Sequence, residues 1–199
     1  MRPILIIDVE ATCWSAEPAP PKPEGRRYTG EIIELGCALI NATGRAAGQP
    51  WHTYVRPVMN ETLSRFCTEL TGITQGLVDA APHFPAALRA FAAEYSLQRG
   101  DDPWFASWGN FDRNILLDDC RTHSVNYPFA LSNHVNLKAE AKRALGLSKR
   151  MGAQRALEAI GMAFEGRPHT AINDAHNIRR IVLEMLRHGW QPPHSRPSH

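Results

Sequence analysis

The apolar positions near the start of the chain alternate with a period of two. In ILIIDVEAT, Ile7 and Val9 fall on one face of a strand running to about Thr12, while Asp8 and Glu10 share the other. The stretch from Ser15 to Gly30 is rich in proline and has no period, which predicts an exposed loop. EIIELGCALIN then reads as a buried strand and WHTYVRP, closed by Pro57, as a third, with GRAAGQP supplying a hairpin turn between them. These three make an antiparallel unit. LSRFCTEL has helical spacing, and LTGITQ leads into a second helix over roughly Phe84 to Leu97, with Pro82 and Pro85 near its start. DDPWFASWGN predicts a short apolar strand ended by Gly-Asn, and FDRNILLDDC restarts as a helix. Three more helical patterns follow, near Leu137–Leu145, Met151–Ile160 and Ile172–Arg187. The last carries apolar Ile178, Ile181, Val182, Met185 and Leu186. The end, GWQPPHSRPSH, is too rich in Pro, Ser and His to pack and predicts a flexible tail over 189–199. Residues 1–188 therefore read as one α/β domain, a mixed sheet with helices packed on it.

Composition narrows the class. With 199 residues the chain can bury a sizeable core without staples, and its 43% apolar and 21% charged content is that of a globular protein. No run approaches the roughly 18 to 20 apolar residues that span a bilayer. MRPILIID passes straight into the first strand with no room for a signal peptide, so a cytoplasmic protein with no membrane partner is expected. Cys13, Cys37, Cys67 and Cys120 are widely spaced in apolar or aromatic company and read as buried free thiols. A net charge of +2 does not by itself announce a nucleic-acid partner. Lys138, Lys142, Arg143, Lys149, Arg150, Arg155 and Arg167 nevertheless outweigh Glu140, Glu158 and Glu165 in one stretch. That excess suits either phosphate binding or a solvated helical face.

The chemistry lies in the acids. Asp8 and Glu10 repel each other on one strand face unless a cation, an arginine or solvent relieves them. Asp112 in WGNFD follows the fourth strand, where strand ends and helix starts converge in α/β folds. Asp174, in GRPHTAINDAHNI, stands five residues after His169. With strand 1 at the centre of the sheet, the four carboxylates can meet. Such a cluster suits hard cations, which take a few carboxylates and keep positions for water and phosphate. Two cations close together can serve an in-line phosphoryl displacement, with a histidine of near-neutral pKa accepting a proton from water. Taken singly, a D-x-E pair can be an exposed strand end, Asp112 an N-cap, and His169 a loop residue. His169 and Asp174 miss the i, i+4 spacing of two helical zinc ligands, and His176 should point elsewhere around its helix as a structural or surface residue.

In order and spacing these pieces resemble the DEDDh 3′-to-5′ exonucleases of the RNase T and DNA polymerase III epsilon superfamily. Asp8 and Glu10 match the first motif, Asp112 the second, and His169 with Asp174 the H-x(4)-D third. IIDVEATCW, EIIELGCALI, FCTELTGITQ, SWGNFD and GRPHTAINDAHNIRRI are similar to the Eri-type branch, which includes KapD-like proteins, from about Ile4 to Leu186. The resemblance implies a ribonuclease-H-like fold, a five-stranded mixed sheet with helices on both faces. It implies two Mg²⁺ or Mn²⁺ ions, with Asp8, Glu10 and Asp174 as direct ligands, Asp112 acting partly through water, and His169 as general base. It matches Phe66 and Phe111 to positions that stack the terminal base, and it brings the backbone from Glu10 through Ala11 to Thr12 close to the 3′-terminal ribose. Trp14 and Leu70 are further candidate platforms by residue type, with core packing the alternative for each. Trp108, inside the apolar strand, reads as core more readily than as platform. No stretch of these residues reads as an added RNA-binding domain.

The activity so implied is a metal-dependent 3′-to-5′ exonuclease on single-stranded nucleic acid, RNA before DNA, releasing nucleoside 5′-monophosphates. Two alternatives stand beside it: a DNA 3′-end trimming or proofreading nuclease, and a nucleic-acid-binding regulator without catalysis.

Overall fold

A computed structural model of the protein describes residues 1–15, 18–97 and 103–192. Five strands form one sheet in the order β3-β2-β1-β4-β5. They are β1 (Ile4–Ala11), β2 (Ile32–Ile40), β3 (Ala46–Tyr54), β4 (Trp104–Ser107) and β5 (His134–Asn136). β1 pairs antiparallel with β2 and parallel with β4, so the strand direction changes at the centre of the sheet. The seven helices among the described residues are α1 (Arg65–Thr71), α2 (Gln75–Asp79), α3 (Phe84–Glu94), α4 (Phe111–Thr122), α5 (Leu137–Ala144), α6 (Ala153–Ala159) and α7 (Ala171–Arg187).

The period-two pattern of β1 sorts the core into two layers. Ile4 and Ile6 join Ala38, Ile40, Ala106 and Val135 beneath α5, α6 and α7, through Leu137, Leu157, Ile178 and Val182. Leu5, Ile7 and Val9 join Leu35 and Phe105 beneath α3 and α4, through Phe84, Phe91, Ile115 and Leu116. Helices thus cover both faces of a mixed five-stranded sheet, the expected ribonuclease-H-like arrangement. Because Asp8 and Glu10 continue the row of Ile4 and Ile6, they emerge on the α7 side, at the carboxyl end of β1 and beyond its pairing with β4. Open α/β sheets place their ligand crevice outside the carboxyl ends of the strands.

Several local expectations give way. β3 begins at Ala46, so most of the expected turn GRAAGQP is strand. The reversal is compressed into 41–45, where the Asn41 side chain accepts from the Thr43 and Arg45 amides and Gly44 takes a φ of +76°. Pro50 is tolerated because β3 lies at the sheet edge. α2 and β5 have too few residues to show a period. The loop before β2 is not simply exposed, since Arg26 is buried and its guanidinium pairs with Asp119 on α4 at 2.7 Å. Trp190, assigned to the tail, packs into the α7-side core and donates from Nε1 to Glu140 at 2.9 Å. Its large apolar ring outweighs the Pro-rich company that suggested fraying. The rest of the expected tail, 193–199, lies outside the described residues, as do Ala16 and Glu17 of the loop and Asp101 and Asp102 before β4.

Candidate active site

Backbone geometry draws the acids together from three places. Asp8 and Glu10 leave β1 side by side, opposite Gly36 and Glu34 of β2. Asp174 sits in the first turn of α7 and accepts from the Thr170 amide at 3.1 Å. α7 can begin this close to the sheet because residue 36 is glycine: a Cβ there would overlap the Ala171 backbone. One oxygen each of Asp8, Glu10 and Asp174 lies within 4.8 Å of the other two. Asp112, in the first turn of α4, is buried and accepts from the Val9 amide at 3.3 Å, which ties the helix to the strand between the two β1 acids. His169, on the loop before α7, is exposed and close enough to Asp174 to favour its anion.

Electrostatics says what the cluster lacks. Burial pushes Asp8 well above the usual carboxylate range, and Asp112, Asp174, Glu10 and Glu34 push it further. Glu10 is raised to about 8 by burial and then by Asp174, Glu34 and Asp112. Asp112 is raised to about 6, burial outweighing the hydrogen bonds that favour its anion. Asp174 is raised by burial against the pull of the Thr170 amide and His169. An oxygen-only donor set of mutually repelling acids fits a hard divalent cation, which would relieve the repulsion and restore the anions. Asp8, Glu10 and Asp174 are the residues that could hold it.

The remaining site candidates divide. Phe111 at the head of α4 is 42% exposed, with Tyr28 edge-on at 4.8 Å between centroids. Phe66 and Leu70 lie four residues apart on α1 and are half-buried, as is Trp14. α1 is docked at the end of β1: Ser64 Oγ donates to the Cys13 carbonyl at 2.6 Å, and Cys67 Sγ to that of Ala11 at 3.6 Å. Thr12 is buried, and its hydroxyl accepts from the Glu31 amide at 3.0 Å, so its side chain serves the fold. Trp108, just past the end of β4 rather than inside it, is half-buried against the core, its Nε1 donating to the Met151 carbonyl at 2.9 Å. His176 is structural as expected, pairing with Glu165 at 2.9 Å. All four cysteines are free, but Cys13 is only half-buried.

Sequence reasoning missed Glu34 and Tyr28. Glu34 is fully buried beside Glu10, with one oxygen 2.7 Å from His52 Nδ1 and the other accepting from the Ala171 amide at 2.9 Å. It anchors the start of α7, and with it Asp174, to β2. The available signal was an acid in the middle of a buried strand, since such a group must be partnered. Tyr28 had no signal, because its neighbour Phe111 is reached only through the fold.

Comparisons with known proteins agree with this geometry. The model of the exonuclease family RNase_T matches residues 5–182. ERI1 exoribonuclease 2 of Danio rerio is 33% identical over 227 residues, covering 98% of this chain and 39% of its own. The 3′-5′ exoribonuclease 1 of Homo sapiens is 33% identical over 193 residues, covering 94% and 53%. The chain thus spans about half or less of these curated relatives. The crystallographic structure of the nuclease domain of 3′hExo, a DEDDh family member, bound to rAMP, is similar with a TM-score of 0.82. It is 31% identical, and the match covers 94% of this chain and 93% of that one.

Proposed function

The chain belongs to the RNase T exonuclease family, in its DEDDh Eri-type branch, and from that premise we propose that it is a metal-dependent 3′-to-5′ exoribonuclease. Its substrate is the 3′ end of single-stranded nucleic acid, RNA in preference to DNA, and its product a nucleoside 5′-monophosphate. The observation that carries this reading is the convergence of Asp8, Glu10 and Asp174 on one point, with Asp112 and His169 beside them. The names of the relatives and the rAMP in the similar nuclease domain support ribose over deoxyribose.

Asp8, Glu10 and Asp174 would hold the first of two Mg²⁺ or Mn²⁺ ions, with Asp8 shared with the second and Asp112 acting partly through water. Bound there, the ions would lower the pKa of water and offset charge on the scissile phosphate and its leaving oxygen. His169 accepts the proton of the attacking water as the terminal phosphodiester is cleaved, leaving a 3′ hydroxyl on the shortened strand. Phe111, Phe66 and Leu70 hold the terminal base, stacking being worth about 1 to 3 kcal/mol per base. The Ala11–Thr12 backbone meets the terminal ribose, where an enzyme preferring RNA must read the 2′-OH. Four free thiols support a reducing compartment, and we place the protein in the cytoplasm. No helix among the described residues is long and apolar enough to cross a membrane.

The test is a gel time course with matched 5′-labelled RNA and DNA oligomers in Mg²⁺, Mn²⁺ or EDTA, beside Asp8→Asn. A metal-dependent ladder shrinking from the 3′ end, faster on RNA and absent in the variant, is expected. Preferential shortening of DNA would move the assignment to DNA trimming, and binding without cleavage would leave a regulator.

A further inference from the structure

The loop that carries His169 is tied to the helix that carries Phe66 and Leu70. Gly166, at a φ of +82°, opens the loop, and its position against the Asn173 side chain leaves no room for a Cβ. His169 follows at a φ of +59°, a left-handed conformation that costs a non-glycine residue on the order of 1 kcal/mol or more and persists only where neighbours impose it. Inside the loop, Thr170 Oγ1 and Asn173 Nδ2 both donate to the Arg167 carbonyl, at 3.0 and 3.2 Å. Outside it, the Arg167 side chain reaches α1. Its Nη2 donates to the carbonyls of Glu69 at 3.0 Å and Leu70 at 3.4 Å, in the last turn of that helix. Helix C-terminal carbonyls carry partial negative charge and suit a guanidinium. The approach is possible because residue 72, the C-cap of α1, is glycine: a Cβ there would overlap the Arg167 guanidinium. These two bonds join the His169 loop to α1.

We propose that Arg167 is a positioning residue that couples occupancy of the base platform on α1 to the placement of His169. The proposal rests on the exonuclease reading above. A base seated on Phe66 and Leu70 restrains α1, and through Arg167 the restraint passes to the loop that presents His169 to the attacking water. An empty platform leaves the loop slack, so chemistry waits for a terminal nucleotide that fills it. An exposed bridge of this kind adds little to stability, but a misplacement of about 1 Å in a reacting group can cost up to about 10²-fold in rate.

The experiment compares wild type with Arg167→Ala and Arg167→Lys on two 5′-labelled RNA oligomers, one ending in an ordinary nucleotide and one in an abasic nucleotide. kcat and KM are measured separately in Mg²⁺. For wild type, loss of the terminal base should lower kcat about tenfold as well as raise KM. Arg167→Ala should lower kcat about tenfold on the ordinary end and no longer distinguish the two ends in kcat, while KM still does. Arg167→Lys, which keeps the charge without the planar fork, should fall between, and it is read in place of the alanine variant if that fails to fold. A purely structural Arg167 would lower kcat on both ends by the same factor. Wild-type discrimination retained in full by the variants, or a wild-type kcat indifferent to the abasic end, overturns the coupling and leaves the exonuclease intact. A wild type that shortens neither RNA removes the exonuclease reading, and the coupling with it.

Discussion

Two groups of acids flank the loop before β2, one fully buried and one half-buried, and they are solved in opposite ways. Asp118 and Asp119 on α4, with Glu31 before β2, are partnered by the chain itself. Asp119 binds the Arg26 guanidinium and the Ile32 amide. Asp118 accepts from the Arg27 and Tyr28 amides, and Glu31 from those of Val58, Met59 and Asn60. For Asp8 and Glu10, burial and the surrounding acids, Asp112, Asp174 and Glu34 among them, act against the anion. One cluster carries its own cation and locks a loop. The other leaves the positive charge to be supplied from outside, as the proposed cation and phosphate site requires.

The contrast is sharpest in paired substitutions. Asp8→Asn should abolish turnover if Asp8 is the shared ligand proposed above, yet it should raise the melting temperature of the metal-free protein by relieving repulsion. A variant that melts lower and still degrades RNA would break the comparison. His169→Ala should depress kcat by about 10² to 10⁴-fold while calorimetry finds metal binding largely intact. Asp119→Ala should do the reverse of Asp8→Asn, costing about 3 to 5 kcal/mol in urea unfolding because Arg26 is left buried and unpaired. Phe111→Ala should raise KM by the equivalent of about 1 to 3 kcal/mol, and an unchanged KM would return Phe111 to packing alone.

The smallest effect concerns pH. Glu10 has its folded pKa raised from 4.5 to about 8, so without metal its contribution is fully present below pH 4.5 and is lost as pH rises to about 8. Asp112, raised to about 6, acts in the same sense over a lower window. The metal-free protein should therefore melt lower at pH 8 than at pH 5.5, and Mn²⁺ should stabilise it more at pH 8, where fewer protons need to be displaced. Equal Mn²⁺-induced shifts at both pH values would mean that these acids are not the metal site.

Much of this was legible in the amino-acid sequence because it depends on short-range periodicity. A strand forces i and i+2 to one face, so the neighbourhood of Asp8 and Glu10 follows from their spacing. The helical period placed α4 and α7, whose first turns carry Asp112 and Asp174. What depends on contacts between distant segments was not legible. Arg26 reaches α4 across 93 residues, and Glu34 meets the start of α7 across 137. No local rule could seat Trp190 in the core or turn the Thr12 hydroxyl to the Glu31 amide.

By itself, then, the sequence determined the longer strands and helices and which acids share a strand face, since backbone stereochemistry acts within a few residues. Only the tertiary structure decided which buried charges find partners. That depends on Gly36 admitting α7 to the sheet, on Gly72 admitting Arg167 to α1, and on a chain fold that gives Asp119 an arginine and surrounds Asp8 with Glu10, Asp112 and Asp174.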